Sequence, residues 1–304
     1  MSAISRSSAS QMKRSTLLVI VWGITVLVSL LPDIIFNEWL GMATPWLLSA
    51  KLVLLALVIF VSVLWKEIHV LRDYFIVLLA VNIVNALTAW VSSTPQWYGW
   101  FADGTFAVSM AGAQALKLGA VLVVIGVMLV LKGRRQNFFF EKGNLTATAE
   151  RVPWLGMARP TTWKRFGPLL ALCIGGGTLV FLLLGGAPSL DRFGAVVVLL
   201  PLILLFAAVN ALNEEMLYRA APLATLHEVV GKSQAMLLVG AYFGFAHYYG
   251  VPYGVVGVLM SGVLGWLMGK SILESKGFFW AWAVHLVLDV LIFIFMAAGF
   301  SGSA

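Results

Sequence analysis

Charge is scarce in this sequence: only 11% of its 304 residues are Asp, Glu, Lys or Arg, while 61% are hydrophobic. Soluble globular chains carry about a quarter charged residues and about half apolar ones, so a water-soluble fold is excluded and lipid must be part of the solvent. Cysteine is nearly missing. The one present, Cys173, forbids an intrachain disulfide and, lying in an apolar run, reads as a small buried hydrophobe. No internal repeat relates the two halves. No small-residue cleavage site follows the first apolar run, where Pro32, Asp33 and bulky residues come next, so that run reads as an uncleaved span behind Lys13 and Arg14. A clustered basic face is missing too. The net charge of +7 is spread through short segments between apolar runs, where it orients a membrane protein and meets anionic head groups, and nucleic acid is excluded as a partner.

Long apolar segments are what the sequence has in quantity. They run over 17–36, 46–65, 74–91, 115–131, 167–187, 193–212, 234–249, 254–273 and 278–299, most of them near the ~20 residues that a spanning helix needs. The pattern predicts an all-α polytopic membrane protein of about nine spans. Most of the 20 Lys and Arg residues fall on one side of this arrangement, with Lys51, Lys117 and Arg192 at or just inside the outer ends of spans. That bias predicts a cytoplasmic N-terminus and an external C-terminal tail, 301–304. The basic, polar stretch 132–166 reads as a cytoplasmic linker. It separates a four-span N-terminal region, 1–131, with no role visible beyond packing or partner binding, from a five-span unit, 167–300. In the eighth span Gly257, Ser261, Gly265 and Gly269 recur every four residues, a small-residue face that lets a neighbouring helix approach. Asn82 and Asn85 read as interhelical hydrogen bonders, and Trp90, Trp97 and Trp100 as an interfacial belt.

Ionisable groups inside spans are expensive and are functional candidates. At the end of the sixth span comes Asn213-Glu214-Glu215-Met216-Leu217-Tyr218-Arg219. Helical spacing places Glu215 and Arg219 on one face as an ion pair, with Glu214 turned aside and no partner nearby in sequence. Phe243 and His247 share a face of the seventh span, and His285 and Asp289 share a face of the ninth. Any one pair reads as structural, since buried polar groups satisfy each other; three such sites on three helices of one unit point to chemistry. With a turn near Gly231, Glu214 and His247 each lie about 25 Å from it and are level, and His285 lies about 12 Å past a turn near Gly277. Tilt, or a bend at Pro201, would bring Glu214 below the surface. His69 and His227, beside charged residues at span ends, read as interfacial.

The three elements in this order, Glu-Glu-x-x-x-Arg at 214–219, Phe-x-x-x-His at 243–247 and His-x-x-x-Asp at 285–289, resemble the CPBP family, which includes type II CAAX prenyl endopeptidases and bacteriocin-processing proteins. The resemblance covers about 167–299. It implies an intramembrane endopeptidase in which Glu214 and His247 activate a water and His285 with the fourth position serves the oxyanion. The family's last position is Asn or Asp. An ionised carboxylate only accepts hydrogen bonds, so the oxyanion donor is assigned here to His285 and the orienting of its ring to Asp289. Glu215, Arg219 and Phe243 are supporting residues. The substrate implied is a membrane-associated peptide: a prenylated CAAX protein, a leader peptide or similar. Glu214, His247 and His285 also make up the ligand set of a catalytic zinc site, so zinc stays open as a cofactor; the missing His-Glu-x-x-His helix favours a metal-free site. Two other classes use the same buried residues: a transporter, and a non-catalytic membrane binding or immunity factor.

Overall fold

The computed structural model of the chain describes residues 2–186 and 189–300, and the side chains of all of these but 2–13, 190, 191 and 195. The tail 301–304, Ala187 at the end of the fifth expected span, and the side chains of Arg6 and Lys13 lie outside the described residues. The fold is nearly all helix. Its long helices are α1 (Ser2–Val28), α2 (Leu47–Leu64), α3 (Arg72–Ser92), α4 (Phe106–Lys132), α5 (Trp163–Leu184), α6 (Leu200–Glu215), α7 (Ala221–Val230), α8 (Lys232–Ala246), α9 (Val255–Ser275) and α10 (Phe279–Gly299).

Among the described residues, 7 helices are long and apolar enough to cross a membrane. There are 8 if the bent pair Arg14–Val28 and Leu31–Trp39 is one span. About nine were expected. The difference has a clear origin after the fifth span. Arg192–Val230 runs as a single helical stretch of 39 residues, and the expected seventh span forms only the 15 residues of α8. Such a helix is ~22 Å long, short of the ~30 Å hydrocarbon layer. Pro201 does not bend the stretch, because it sits in the first turn of α6, where its missing N–H has no helical partner anyway. The irregularity falls instead at a π-turn, Met216–Ala220, just after Glu214 and Glu215 and just before Pro222. Pro222 has no N–H to return to the preceding turn, and a widened turn absorbs the break.

One compact unit comprises Met1–Ile83, Val127–Phe138 and Tyr218–Lys270. Between helices in lipid the hydrophobic effect supplies no attraction, so close packing and polar contacts must hold them. Both are present. The Arg14 guanidinium donates to Val230 O at the C-terminus of α7 (3.0 Å), Trp22 Nε1 donates to Gln234 Oε1 (3.0 Å), and Thr25 Oγ1 bonds the Tyr74 hydroxyl (2.7 Å). Asn82 makes the interhelical bond expected of it, to the Tyr242 hydroxyl (3.4 Å). The small-residue face of α9 meets glycines of α8. A Cβ on Gly265 would lie 3.2 Å from Gly240 Cα, and one on Gly244 would lie 2.6 Å from Val258 O. His69 and His227 each give Nδ1 to a backbone carbonyl, of Ser62 (3.1 Å) and Leu223 (2.8 Å).

The second unit comprises Val84–Gly126, Phe139–Leu217 and Ser271–Ala304. Here α10 is central, packing along both α6 and α5. Phe106, Met110, Ile203, Phe206 and Phe293 form a buried apolar cluster, and Trp282 Nε1 donates to Ala208 O (3.0 Å), fastening α10 to α6. Cys173 is exposed on α5 rather than buried. Lipid accepts a small apolar thiol as readily as a core does, which the apolar run alone does not separate.

From Phe139 on, the polar stretch read as a linker is ordered in this unit. Thr148–Ala149 pairs antiparallel with Thr161–Thr162. Asn144 N donates to Ser275 O (2.8 Å), Phe278 N to Glu141 O (2.8 Å), Trp163 Nε1 to Glu274 Oε2 (2.9 Å) and Trp280 Nε1 to Leu145 O (3.2 Å). Gly143, at φ +72°, passes so close to the turn after α9 that a Cβ would lie 2.6 Å from Gly277 Cα and 2.7 Å from Ser275 O. The stretch clamps the start of α10, the helix that carries His285 and Asp289.

Candidate active site

The last two turns of α6 carry four polar residues in an apolar helix: Asn210, Asn213, Glu214 and Glu215. Asn210 and Glu214 are one turn apart, and Asn210 Nδ2 donates to Glu214 Oε1 (3.2 Å). On α10, His285 and Asp289 are likewise one turn apart and both are buried. The two faces meet. His285 Nδ1 donates to Glu215 Oε1 at 2.6 Å, and Glu215 is wholly buried. His285 Nε2 lies 3.5 Å from Glu214 Oε2 and 3.7 Å from Asp289 Oδ1. Asp289 Oδ2 accepts from Asn210 Nδ2 (3.0 Å). One imidazole is therefore set among three carboxylates from two helices.

This geometry bears on who orients the ring. Asp289 reaches only the Nε2 side, beyond hydrogen-bond length, whereas Glu215 holds Nδ1 by a short bond. With Nδ1–H given to Glu215, Nε2 donates a hydrogen bond only when the ring carries both protons.

A cation also belongs to the cluster. Lys117, expected at the outer end of a span, lies in the interior of α4, which begins at Phe106 and not near Ala115. Ser109, Gly112 and Gln114 dilute the apolar pattern there, and Gln114 finds its partner inside the helix, donating to Met110 Sδ (3.4 Å). The Lys117 ammonium donates to Asn210 Oδ1 and to Glu214 Oε1 (3.2 Å), and Asn213 Nδ2 donates to Lys117 O (2.8 Å). Lys117 and Asn210 escaped the sequence reading. The signals for them were a lysine within an apolar helix and an amide one turn before a glutamate in another.

Arg219, Phe243 and His247 belong to the other compact unit. The guanidinium of Arg219, itself wholly buried, lies 3.6 Å above the Phe243 ring centroid. The Phe243 and His247 rings are 4.0 Å apart between centroids, on the shared face that their spacing predicts. His247 stands just past the end of α8, and its Nδ1 donates to Phe243 O (2.9 Å), so in the neutral ring Nε2 is the acceptor nitrogen.

Among the described residues no group of three or more His, Cys, Asp and Glu side chains is arranged to hold a metal ion. The ammonium of Lys117 already stands against Glu214. A divalent cation beside a fixed ammonium meets like-charge repulsion.

The helices of membrane length define an integral, multi-pass membrane protein, and Glu215, His285 and Asp289 are buried polar residues within its second unit. Residues 196–291, about a third of the chain, match the family described as type II CAAX prenyl endopeptidase Rce1-like, and this segment is similar to the CPBP peptidases. All three motifs lie within the matched stretch; Lys117 lies outside it. Among curated proteins and among solved structures, none matches the chain.

Proposed function

We propose that the protein is an intramembrane endopeptidase that hydrolyses a peptide bond of a membrane-associated substrate, of the prenylated CAAX type or a similar membrane-proximal peptide, with Glu214 as general base. The observation that carries the reading is the approach of Glu214 Oε2 to His285 Nε2 at 3.5 Å within the family-matched segment. Glu214 takes a proton from water as the oxygen attacks the carbonyl carbon. The oxyanion accepts a hydrogen bond from Nε2–H of doubly protonated His285, and Glu214 returns the proton to the amide nitrogen as the C–N bond breaks. His247 enters through the motif it matches, as the second residue to hold the water. Glu215 orients His285 through Nδ1, and Asp289 with Asn210 completes the polar surround. Arg219 and Phe243 support the motif residues. No step is routed through zinc.

The N-terminus is assigned to the cytoplasm on the distribution of Lys and Arg, and the C-terminus to the outside, an assignment that has the short α8 also carry the chain across. The test is a substrate trap. Glu214→Gln, expressed in the native membrane, should retain uncleaved peptides that mass spectrometry identifies and that the parent protein cuts. Retention of small solutes in place of peptides would favour the transporter reading, and a bound protein left intact by the parent would favour a binding factor.

A further inference from the structure

Lys117 lies outside the family-matched segment and outside all three motifs, yet it touches the proposed base. Its ammonium and the Asn210 amide both donate to the same oxygen of Glu214, Oε1, each at 3.2 Å. The ammonium also donates to Asn210 Oδ1, which turns the Asn210 amide hydrogens toward Glu214 Oε1 and Asp289 Oδ2. The backbone is held as well, because Asn213 Nδ2 donates to the carbonyl of Lys117 itself (2.8 Å). A glutamate side chain at a helix end has several rotamers of similar energy. Two donors on Oε1, one of them charged, select the rotamer in which Oε2 faces the imidazole of His285 (3.5 Å). The side chain of Glu214 is 14% exposed and that of Lys117 34%, so the pair is screened weakly. An ammonium in the interior of a spanning helix is unfavourable unless it is used.

We propose that Lys117 is the positioning residue of Glu214: the N-terminal helices contribute a fixed cation that commits Oε1 and presents Oε2 to the attacking water. This rests on Glu214 acting as the base, and it gives the region before residue 132 a part in the site.

The test uses full-length protein in lipid nanodiscs, with folding checked by size exclusion, and a farnesylated, internally quenched peptide ending in a CAAX sequence as substrate. Lys117→Met should lower kcat at least about tenfold with KM within about twofold, because orientation matters in the transition state and not in binding. Lys117→Arg, which keeps the charge, should recover most of the rate. A second measurement needs no activity. Labelling by a small neutral amine reagent, read at Lys117 by mass spectrometry, should be faster in Glu214→Gln than in the parent by about threefold or more, since the charged partner is gone. Equal labelling in the two proteins overturns the proposal, as does a Lys117→Met variant with the parent's kcat while Glu214→Gln is inactive. An active Glu214→Gln instead removes the assignment of the base, and the labelling arm still decides whether Lys117 and Glu214 are paired.

Discussion

Glu215 is the side chain at this site whose surroundings leave least freedom. It is wholly buried and bonds Nδ1 of His285 at 2.6 Å. A buried carboxylate so placed fixes the imidazole's tautomer and ring plane and balances its second proton. Glu215→Gln should therefore lower kcat by about tenfold or more and also lower the melting temperature, since a buried charge loses its counterpart. Helical spacing alone assigns Glu215 to Arg219, and from that assignment only the stability loss follows. An unchanged kcat would mean that the bond to His285 does not matter to the reaction. The same comparison shows what spacing can and cannot reveal. Pairs one turn apart, Phe243 with His247 or His285 with Asp289, are legible in sequence because 3.6 residues per turn fixes them. The bond from Glu215 to His285 joins side chains from two helices far apart in sequence, and no local period encodes it. Lys117 was visible as a lysine among apolar residues, but the polar start of α4 hid how far inside the helix it lies.

Small residues decide how the elements come together. Where lipid removes the hydrophobic drive, approach distance sets dispersion and weak polar attraction, and α8 with α9 approach through Gly240, Gly244, Gly262 and Gly265. Gly244→Val would thrust atoms at a carbonyl 2.6 Å away, which nothing but backbone movement relieves. We expect a loss of about 1–3 kcal/mol or more in stability, read as earlier thermal unfolding or fall in folded yield. Gly176→Val on α5, where a Cβ meets nothing within 4 Å, should leave both unchanged within error. Equal behaviour of the two variants would contradict the packing role. The Gly257–Ser261–Gly265–Gly269 ladder was legible as a contact face, though not which helix it faces. The clamp formed by residues 139–163 was not legible at all. Two of its hydrogen bonds, Asn144 N to Ser275 O and Phe278 N to Glu141 O, join backbone to backbone, and a Gly-, Pro- and Thr-rich sequence gives the same composition whether the backbone is clamped or solvated.

For the whole molecule, the apolar segments and their lengths carried the fold class, and the count came out at seven or eight among the described residues, beside the nine or so expected, where length stops discriminating. The residues 193–249 hold two apolar runs, but the chain uses them as one long helical stretch with a π-turn followed by a short helix, because Gly231 breaks the helix at φ +85° only after Val230. The orientation proposed rests on the basic residues. A cysteine placed at position 150 in a variant lacking Cys173 should react with a membrane-impermeant thiol reagent only after the cells are opened; labelling in intact cells would reverse the assigned sides. The metal question is also one for the intact protein. Activity should survive exhaustive chelation, and the purified chain should carry well below one zinc per molecule, whereas stoichiometric zinc lost together with activity would replace the glutamate–water scheme.

The most direct test of the central claim is the rate of Glu214→Gln on a cleavable membrane-bound peptide, measured beside the parent in nanodiscs with both shown to be folded. The substitution keeps the shape and the ability to accept Lys117 and Asn210, and removes only the capacity to take a proton. A fall in kcat of about 10²–10⁴-fold with melting temperature held is the result expected of a general base. Cleavage at the parent's rate would mean that Glu214 is not the base, and the catalytic account would fail at its centre.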